Sequence, residues 1–310
     1  MKIAVIGTGG IGGYFGAQLV IAGHSVTFVS RGETLKTLTE SGLNLKTESG
    51  SYVINRDQYR VISSDPTSIE DPNDLVIICV KTYSNESILE TVSPFIGSQT
   101  SVMTLQNGLN PCEAFNGISS EINLVQGIAY VETAQDSPGH YVQQGDVTKI
   151  IYGTRSKVVQ EPEWFSSIFE GSAVLFEKTE DLDTESWSKF AFISTVAGVT
   201  AACKMKLRDL FEEDKWIQNT KYVLDEIGQI ANSSGVDGDK IVAEGWSFIM
   251  DNYHDITASM HTDVMLGKAL EIDALTGTVC ILAERRQIPV PLNDLIYRVL
   301  APYKHGSAIQ

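Results

Sequence analysis

An α/β fold is predicted for this chain of 310 residues, with an N-terminal doubly wound sheet and an all-helical C-terminal domain. Three observations support the prediction. A glycine-rich turn follows an apolar strand at the N-terminus, and the continuous apolar run at 74–80 is typical of a strand buried on both faces of a parallel sheet. Beyond about residue 180 nearly every segment has helical periodicity. This change of pattern indicates a boundary that divides the chain into domains at 1–180 and 181–310.

The N-terminus contains one complete β-α-β unit. The apolar strand at 1–6 runs directly into Gly7-Thr8-Gly9-Gly10-Ile11-Gly12, a G-x-G-x-x-G turn. A periodic apolar stretch at 14–20 then predicts a helix, and a second strand follows at 25–29. Because strand, turn, helix and strand occur in this order, the pattern predicts a Rossmann-type dinucleotide site rather than a simple glycine-rich turn.

Each glycine of this turn has its own physical purpose. Gly7 allows the tight turn off the strand, Gly9 lets the backbone approach a pyrophosphate, and Gly12 lets the helix pack closely on the strand. The helix that follows presents unpaired N–H groups and the positive end of its dipole to the phosphates.

The end of the second strand indicates which dinucleotide is bound. Arg31 comes first after this strand, where its guanidinium can bind a 2′-phosphate, and Ser30 can add a hydroxyl. We therefore expect NADP(H). The alternative is a solvated Arg31, with Glu33 binding the ribose hydroxyl of NAD(H) instead.

The remaining elements are assigned from apolar runs and turn residues. Further strands of the first domain are expected at 43–45, 52–54, 74–80, 101–105, 124–130, 140–142, 149–153 and 173–176, with a helix at 86–92. Helices of the second domain are expected at 185–204, 214–233, 239–250, 271–286 and 293–300. Lys81 and Asn107 each follow a predicted strand, at the sheet edge where ligands of such folds bind.

Composition excludes several classes of function. A formal charge of −16 opposes binding to nucleic acid or to an anionic membrane. No apolar run is long enough to span a bilayer, and the N-terminus is already a cofactor-binding strand, so we expect a cytoplasmic protein. The four cysteines contain no C-x-x-C pair and the histidines show no ligand spacing, so no metal site is expected.

Three polar residues of the second domain are candidates for chemistry. Lys189 lies near the start of a helix that is apolar on all sides, and burial there would lower its pKa and make it a usable proton donor. The alternative interpretation is that Lys189 extends from the helix end to solvent and has no role in chemistry. Glu271 also fits a first-turn carboxylate, and Ser259 a simple helix cap.

Six blocks of sequence, spread over essentially the full length, carry a family resemblance. They are Gly7-Thr8-Gly9-Gly10-Ile11-Gly12, Lys81, Gln106-Asn107-Gly108, Trp187-Ser188-Lys189-Phe190, Ser259-Met260-x-x-Asp263 and Glu271-Ile272-Asp273-Ala274-Leu275-Thr276-Gly277. In these blocks the chain resembles the ketopantoate reductases, or 2-dehydropantoate 2-reductases. The resemblance implies NADPH-dependent reduction of a 2-oxo acid in a cleft between the two domains.

The resemblance also implies roles for individual residues. Lys189 would polarise the 2-keto group and supply the proton, and Glu271 would hydrogen-bond the bound substrate. Ser259 would hold the substrate carboxylate, and Asn107 would help to place substrate, cofactor and lysine. On the cofactor side the resemblance implies Arg31 and Lys81, with Asn107 and Glu271 also touching the cofactor.

The chain departs from the family pattern at three positions. Ile193, Ala197 and Ile256 stand where the family usually carries asparagines that contact the substrate. The loss of three amide side chains predicts a less polar substrate pocket. Hydroxyl groups of a substrate would then lack hydrogen-bond partners there.

Three hypotheses follow. The first is reduction of 2-dehydropantoate by NADPH. The second is a D-2-hydroxy acid dehydrogenase acting on a branched or aromatic 2-oxo acid. The third is a non-catalytic NADP(H)-binding sensor, which retention of Lys189 and Glu271 disfavours. The apolar C-terminal helices suit either a cover for the cleft or the face of a homodimer.

Overall fold

The computed structural model describes residues 1–63, 71–115, 122–155 and 160–307. The chain divides into two compact units. Met1–Gln106 and Pro111–Glu180 form one, which we call the sheet unit, and Asn107–Asn110 and Asp181–Gln310 form the other, the helical unit. Four residues that follow a strand of the sheet unit therefore belong to the helical unit.

The strands of the sheet unit, within the described residues, form one sheet in the order β4-β3-β9-β8-β7-β6-β1-β2-β5, with β10 paired to β9. The strands are β1 (Lys2–Ile6), β2 (Ser25–Ser30), β3 (Leu43–Thr47), β4 (Gly50–Ile54), β5 (Arg60–Ser63), β6 (Leu75–Ile78), β7 (Ser101–Thr104), β8 (Asn123–Ser137), β9 (His140–Thr154) and β10 (Leu175–Lys178). Pairing is parallel from β8 through β7, β6, β1 and β2 to β5. The long strands β8 and β9 are antiparallel.

Apolar side chains cover both faces of the parallel strands. On β1, Ile3 and Val5 belong to one buried cluster, whereas Ala4 and Ile6 belong to another. Helix α1 (Gly10–Ile21) contributes Phe15 to the first cluster, and helix α3 (Asn85–Val92) contributes Ile88 to the second. Helices therefore pack on both faces, which confirms the predicted doubly wound sheet.

Several predicted boundaries in the sheet unit were wrong. The runs at 140–142 and 149–153 are parts of the single strand β9, which pairs along β8 with two shifts of register. Cross-strand pairing, which is not visible in local sequence, makes the polar segment between the two runs extended. Helix α2 (Gly32–Glu40) and strand β5 were not predicted.

The described part of the helical unit contains helices and turns and no strand, as predicted. Its α-helices are α4 (Leu182–Cys203), α5 (Leu207–Leu210), α6 (Asp214–Ser233), α7 (Gly238–Asn252), α8 (Ser259–Met265), α9 (Thr278–Arg286) and α10 (Pro291–Leu300). Helix α4 is central, because it packs against α6, α7, α8 and α10. The Asp181 side chain caps α4 by accepting a hydrogen bond from the Thr184 N–H at 3.0 Å.

The helix predicted to begin at Glu271 begins differently. A π-helical turn occupies Asp273–Gly277, in which the Gly277 N–H donates to the Ile272 carbonyl at 2.8 Å, and α9 starts only at Thr278. The Thr278 hydroxyl donates to the Asp273 and Ala274 carbonyls at 3.1 and 3.2 Å. The Thr278 hydroxyl therefore gives these two carbonyl groups a hydrogen-bond donor within the widened turn. The period of apolar residues does not reveal such a hydrogen bond.

Candidate active site

The glycine turn has the geometry of a phosphate cradle. Gly7 has a φ of +92°, a conformation that favours glycine, and its N–H donates to the Val29 carbonyl at 3.0 Å. A Cβ on Gly12 would lie 1.9 Å from the Gly7 carbonyl oxygen, so α1 approaches β1 as closely as backbone allows. A Cβ on Gly9 would meet no atom within 4 Å. The space beside Gly9 is open to an incoming group.

The first and second strands bring two polar side chains together behind this turn. The hydroxyls of Thr8 and Ser30 are 2.6 Å apart and both residues are buried. Arg31 follows Ser30 in extended conformation and is exposed, directly before α2. Glu33 is exposed in the first turn of α2. The cation and the carboxylate are thus both accessible beside the end of β2.

Loops after β6 and β7 add further polar residues to the same sheet edge. Val80 packs on the glycine turn, since a Cβ on Gly7 would lie 2.7 Å from its Cγ1 atom, and half-buried Lys81 comes next in the chain. The Gln106 amide donates to the Val80 carbonyl at 2.9 Å and to Asn85 Oδ1 at 2.7 Å. Gln106 therefore fixes the loop that carries Lys81.

Asn107 lies in the segment that belongs to the helical unit. Its neighbour Gly108 has a φ of +120°, and a Cβ there would lie 3.5 Å from the Ala274 carbonyl oxygen. Leu109 is buried in the core of the helical unit. The segment with Asn107 therefore lies beside the π turn, next to Ala274, which follows Glu271 by three residues.

Lys189 occupies a half-buried position on α4. Burial lowers the pKa of its ammonium from an ordinary value of 10.5 to about 8. The Nζ atom lies 5.7 Å from the centre of the Phe192 ring, and Phe192 packs edge-on against Phe248 with ring centres 5.2 Å apart. A lysine with a lowered pKa thus lies beside an aromatic pair.

The remaining candidates differ in exposure. Glu271 is 5% exposed and lies directly before the π turn. Ser259 is exposed and is the first residue of α8, whose N-cap is Ala258. The interpretation of Ser259 as a simple cap is therefore wrong, because Ala258 occupies the cap position.

Two family models match the chain. The model described as ketopantoate reductase PanE/ApbA matches residues 3–157, and that for the C-terminal part of the same family matches residues 181–304. The chain belongs to the ketopantoate reductase family. It is thus an oxidoreductase of this family.

Individual relatives cover nearly the whole chain. An uncharacterized oxidoreductase, YkpB of Bacillus subtilis, is 26% identical over 98% of this chain and 99% of its own length. A solved PanE/ApbA family ketopantoate reductase from Ralstonia eutropha is 24% identical, with a TM-score of 0.86 and 98% coverage of both chains. D-mandelate dehydrogenase, solved with NADH and anilino(oxo)acetate, is 17% identical with a TM-score of 0.88, again with 98% coverage of both.

The three departures from the family pattern lie in apolar surroundings. Ala197 is buried in the core of the helical unit, and Ile193 and Ile256 are half-buried against the same core. None of these positions offers a hydrogen-bonding side chain. The family's usual amide positions are apolar in this ketopantoate reductase homologue.

Sequence reasoning missed the contacts of the β8–β9 hairpin with the glycine turn. The Tyr141 hydroxyl on β9 donates to the Thr8 carbonyl at 2.8 Å, and a Cβ on Gly13 would lie 2.0 Å from the Tyr141 ring. On β8, the Thr133 carbonyl oxygen would lie 2.8 Å from a Cβ on Gly10. The only sequence signal was the run of glycines beyond the G-x-G-x-x-G motif, which indicates close packing without naming the partner.

Two further searches cover the described residues only. No helix among them is both long and apolar enough to cross a membrane. Within the same residues, no three His, Cys, Asp or Glu side chains come together as a metal-binding group.

Proposed function

We propose that this chain catalyses the NADPH-dependent reduction of a 2-oxo acid to a 2-hydroxy acid, with 2-dehydropantoate as the first substrate to test. The observation that carries the proposal is Lys189, a lysine whose pKa of about 8 suits proton donation near neutral pH. Carbonyl reduction needs such a group, because negative charge develops on the carbonyl oxygen as hydride arrives at the carbon.

Residues of the sheet unit fit the cofactor. Backbone N–H groups between Thr8 and Gly12, at the start of α1, would hold the pyrophosphate, and the open space at Gly9 supports this use. Ser30 and Arg31 would bind the 2′-phosphate, with Lys81 adding positive charge. When bound, NADPH would supply the hydride for the C2 carbonyl carbon.

Residues of the helical unit would act on the substrate. The Lys189 ammonium would donate a hydrogen bond to the C2 carbonyl oxygen and pass its proton to that oxygen as the double-bond electrons move onto it. Ser259 would hold the substrate carboxylate and Glu271 would accept a hydrogen bond from the substrate, with Asn107 orienting substrate and cofactor. Asn107 and Glu271 are also proposed to touch the cofactor.

A second candidate substrate class is favoured by the surroundings of Lys189. Phe192 lies beside the Nζ atom and packs against Phe248, which is 52% exposed, while Ile193 and Ile256 replace amides. These side chains suit a branched or aromatic 2-oxo acid better than one that carries a terminal hydroxyl. The similarity to D-mandelate dehydrogenase supports the same choice.

The test is the rate of NADPH oxidation with 2-dehydropantoate, 2-oxoisovalerate and phenylglyoxylate. Lys189→Ala should reduce turnover by at least about 10³-fold, in the range expected when a positioned proton donor is lost. Lys240→Met, which removes an exposed lysine of α7, is the matched control and should retain full activity.

The outcomes separate the hypotheses. Turnover of 2-dehydropantoate well above the other two would assign the first activity, and the reverse ranking would assign a D-2-hydroxy acid dehydrogenase. Tight NADPH binding without turnover of any 2-oxo acid would contradict the enzyme proposal and favour the sensor. Equal activity of Lys189→Ala and wild type would remove Lys189 from the mechanism.

A further inference from the structure

The hairpin of β8 and β9 contacts two segments that we assign to the cofactor, the glycine turn and the start of α2 after Arg31. None of the residues of the hairpin belongs to a cofactor-binding motif. Gln135 and Tyr141 are directly opposite each other across the two strands. A register shift lies between Gln135 and Ser137, at the end of the ladder. Bulges of this kind commonly redirect side chains beside functional sites.

Tyr141 acts on the glycine turn through one peptide group. Its hydroxyl donates to the Thr8 carbonyl oxygen at 2.8 Å, and its side chain is fully buried. The Thr8 carbonyl and the Gly9 N–H belong to the same planar trans peptide and point in opposite directions. Fixing the oxygen therefore fixes the direction of the Gly9 N–H. Burial raises the pKa of Tyr141, so its hydroxyl stays protonated and remains a donor.

Gln135 contacts the start of helix α2, directly after Arg31. Its Nε2 atom donates to the Thr34 hydroxyl at 3.0 Å, and it lies 3.5 Å from the Tyr141 hydroxyl oxygen. Thr34 is in the first turn of α2, three residues after Arg31. A single amide thus connects the start of α2 with the tyrosine that supports the glycine turn.

We propose that Tyr141 and Gln135 are positioning residues with different effects on cofactor binding. Tyr141 sets the affinity for any nicotinamide dinucleotide, because the pyrophosphate is common to all of them. Gln135 sets the preference for a 2′-phosphate, because it holds the turn that follows Arg31. The inference rests on the proposed use of a nicotinamide cofactor.

The experiment measures dissociation constants for NADPH and NADH by calorimetric titration of the full chain. Tyr141→Phe keeps the ring and should weaken both cofactors by a similar factor, about fivefold to tenfold, as expected for one lost hydrogen bond. Gln135→Met keeps the side-chain length and should weaken NADPH about fivefold while changing NADH less than about twofold.

Two further variants sharpen the test. Thr34→Val removes the same hydrogen bond from the α2 side, so it should reproduce Gln135→Met, and the double variant should be no weaker than either single one. Tyr152→Phe removes another buried tyrosine hydroxyl of β9, which donates to Glu161 at 3.2 Å. This matched control should leave both dissociation constants unchanged.

Different results overturn different statements. If Tyr141→Phe binds both cofactors like wild type, or Gln135→Met weakens both equally, the corresponding assignment is wrong while the proposed function stands. A wild type that prefers NADH overturns the Gln135 assignment together with the proposed choice of NADPH, while the Tyr141 assignment and the reduction of a 2-oxo acid stand. If the wild-type chain binds neither cofactor, the proposed function fails, and this inference fails with it.

Discussion

The glycine turn of the sheet unit and Lys189 of the helical unit depend on their surroundings in different ways. The turn needs residues without side chains, because neighbouring backbone lies too close for a Cβ atom. The pKa of Lys189 is instead determined by the side chains that bury it. At Gly12 a single added methyl group would overlap backbone at 1.9 Å, and the Thr8 hydroxyl and the Thr8 carbonyl are held by hydrogen bonds to Ser30 and Tyr141. At Lys189 the surroundings lower the pKa by withdrawing water from an ammonium. The turn is therefore sensitive to volume, and the lysine to charge.

The largest effect should come from adding volume to the turn. Gly12→Ala places a Cβ 1.9 Å from the Gly7 carbonyl oxygen, which cannot move aside without shifting β1 or α1. We expect loss of folded protein or a destabilisation above about 3 kcal/mol, at the upper end for point substitutions. Chemical denaturation measures this change.

Gly9→Ala is the matched control for this prediction. A Cβ at Gly9 meets no protein atom within 4 Å and its φ is −72°, so the variant should fold with wild-type stability. It should nevertheless lose cofactor affinity, because the methyl group would occupy the space proposed for the pyrophosphate. A Gly9→Ala variant with undiminished cofactor affinity would contradict the assignment of this turn.

Removing the charge at Lys189 should have the opposite sign. Because the folded-state pKa is lowered, the buried ammonium opposes folding at pH 7, below both pKa values, and this cost declines as pH rises between about 8 and 10.5. Lys189→Met should therefore raise the free energy of unfolding at pH 7 by on the order of 1–3 kcal/mol. Urea denaturation at pH 7 and above pH 8 measures both the gain and its decline.

Lys240→Met serves as the control, since that exposed lysine should change stability by less than about 0.5 kcal/mol. If Lys189→Met were destabilising at pH 7, the contacts of the Lys189 side chain would outweigh the cost of burying its charge. The contrast between the two units would then be weaker than stated.

The smallest effect concerns the pH dependence of the reaction. Reduction needs the protonated Lys189, so kcat/KM should be level below pH 8 and fall about tenfold for each pH unit above it. Oxidation of the 2-hydroxy acid needs the neutral amine and should rise over the same range. Steady-state rates in both directions test this, with NADPH affinity measured at each pH so that weaker binding is not mistaken for loss of the proton donor.

Local sequence was enough for the features that depend on neighbouring residues. The glycine turn with its flanking strands follows from spacing alone, and the period of apolar residues predicted α6 with the observed limits, Asp214–Ser233. The doubly wound sheet followed from the continuous apolar run that contains β6.

Features that depend on distant partners could not be predicted. The supporting contact of Tyr141 joins residues 133 positions apart, and nothing in the segment around His140 indicates it. The π turn at Asp273–Gly277 has the composition of an ordinary helix, and only its hydrogen bonds distinguish it. The pKa of Lys189 depends on how completely its neighbours exclude water. The apolar helix pattern predicted that the pKa would be lowered, but not by how much.

The membership of Asn107–Asn110 in the helical unit limits how this chain can be divided. A fragment that begins at Asp181 would lack Leu109, a buried member of its own hydrophobic core, and would expose the apolar surface that Leu109 covers. The complementary N-terminal fragment would carry Leu109 without the core that buries it. A division of the chain at Asp181 therefore separates Leu109 from the core that it completes, so domain exchange or gene fusion at that point would leave both fragments with exposed apolar surface.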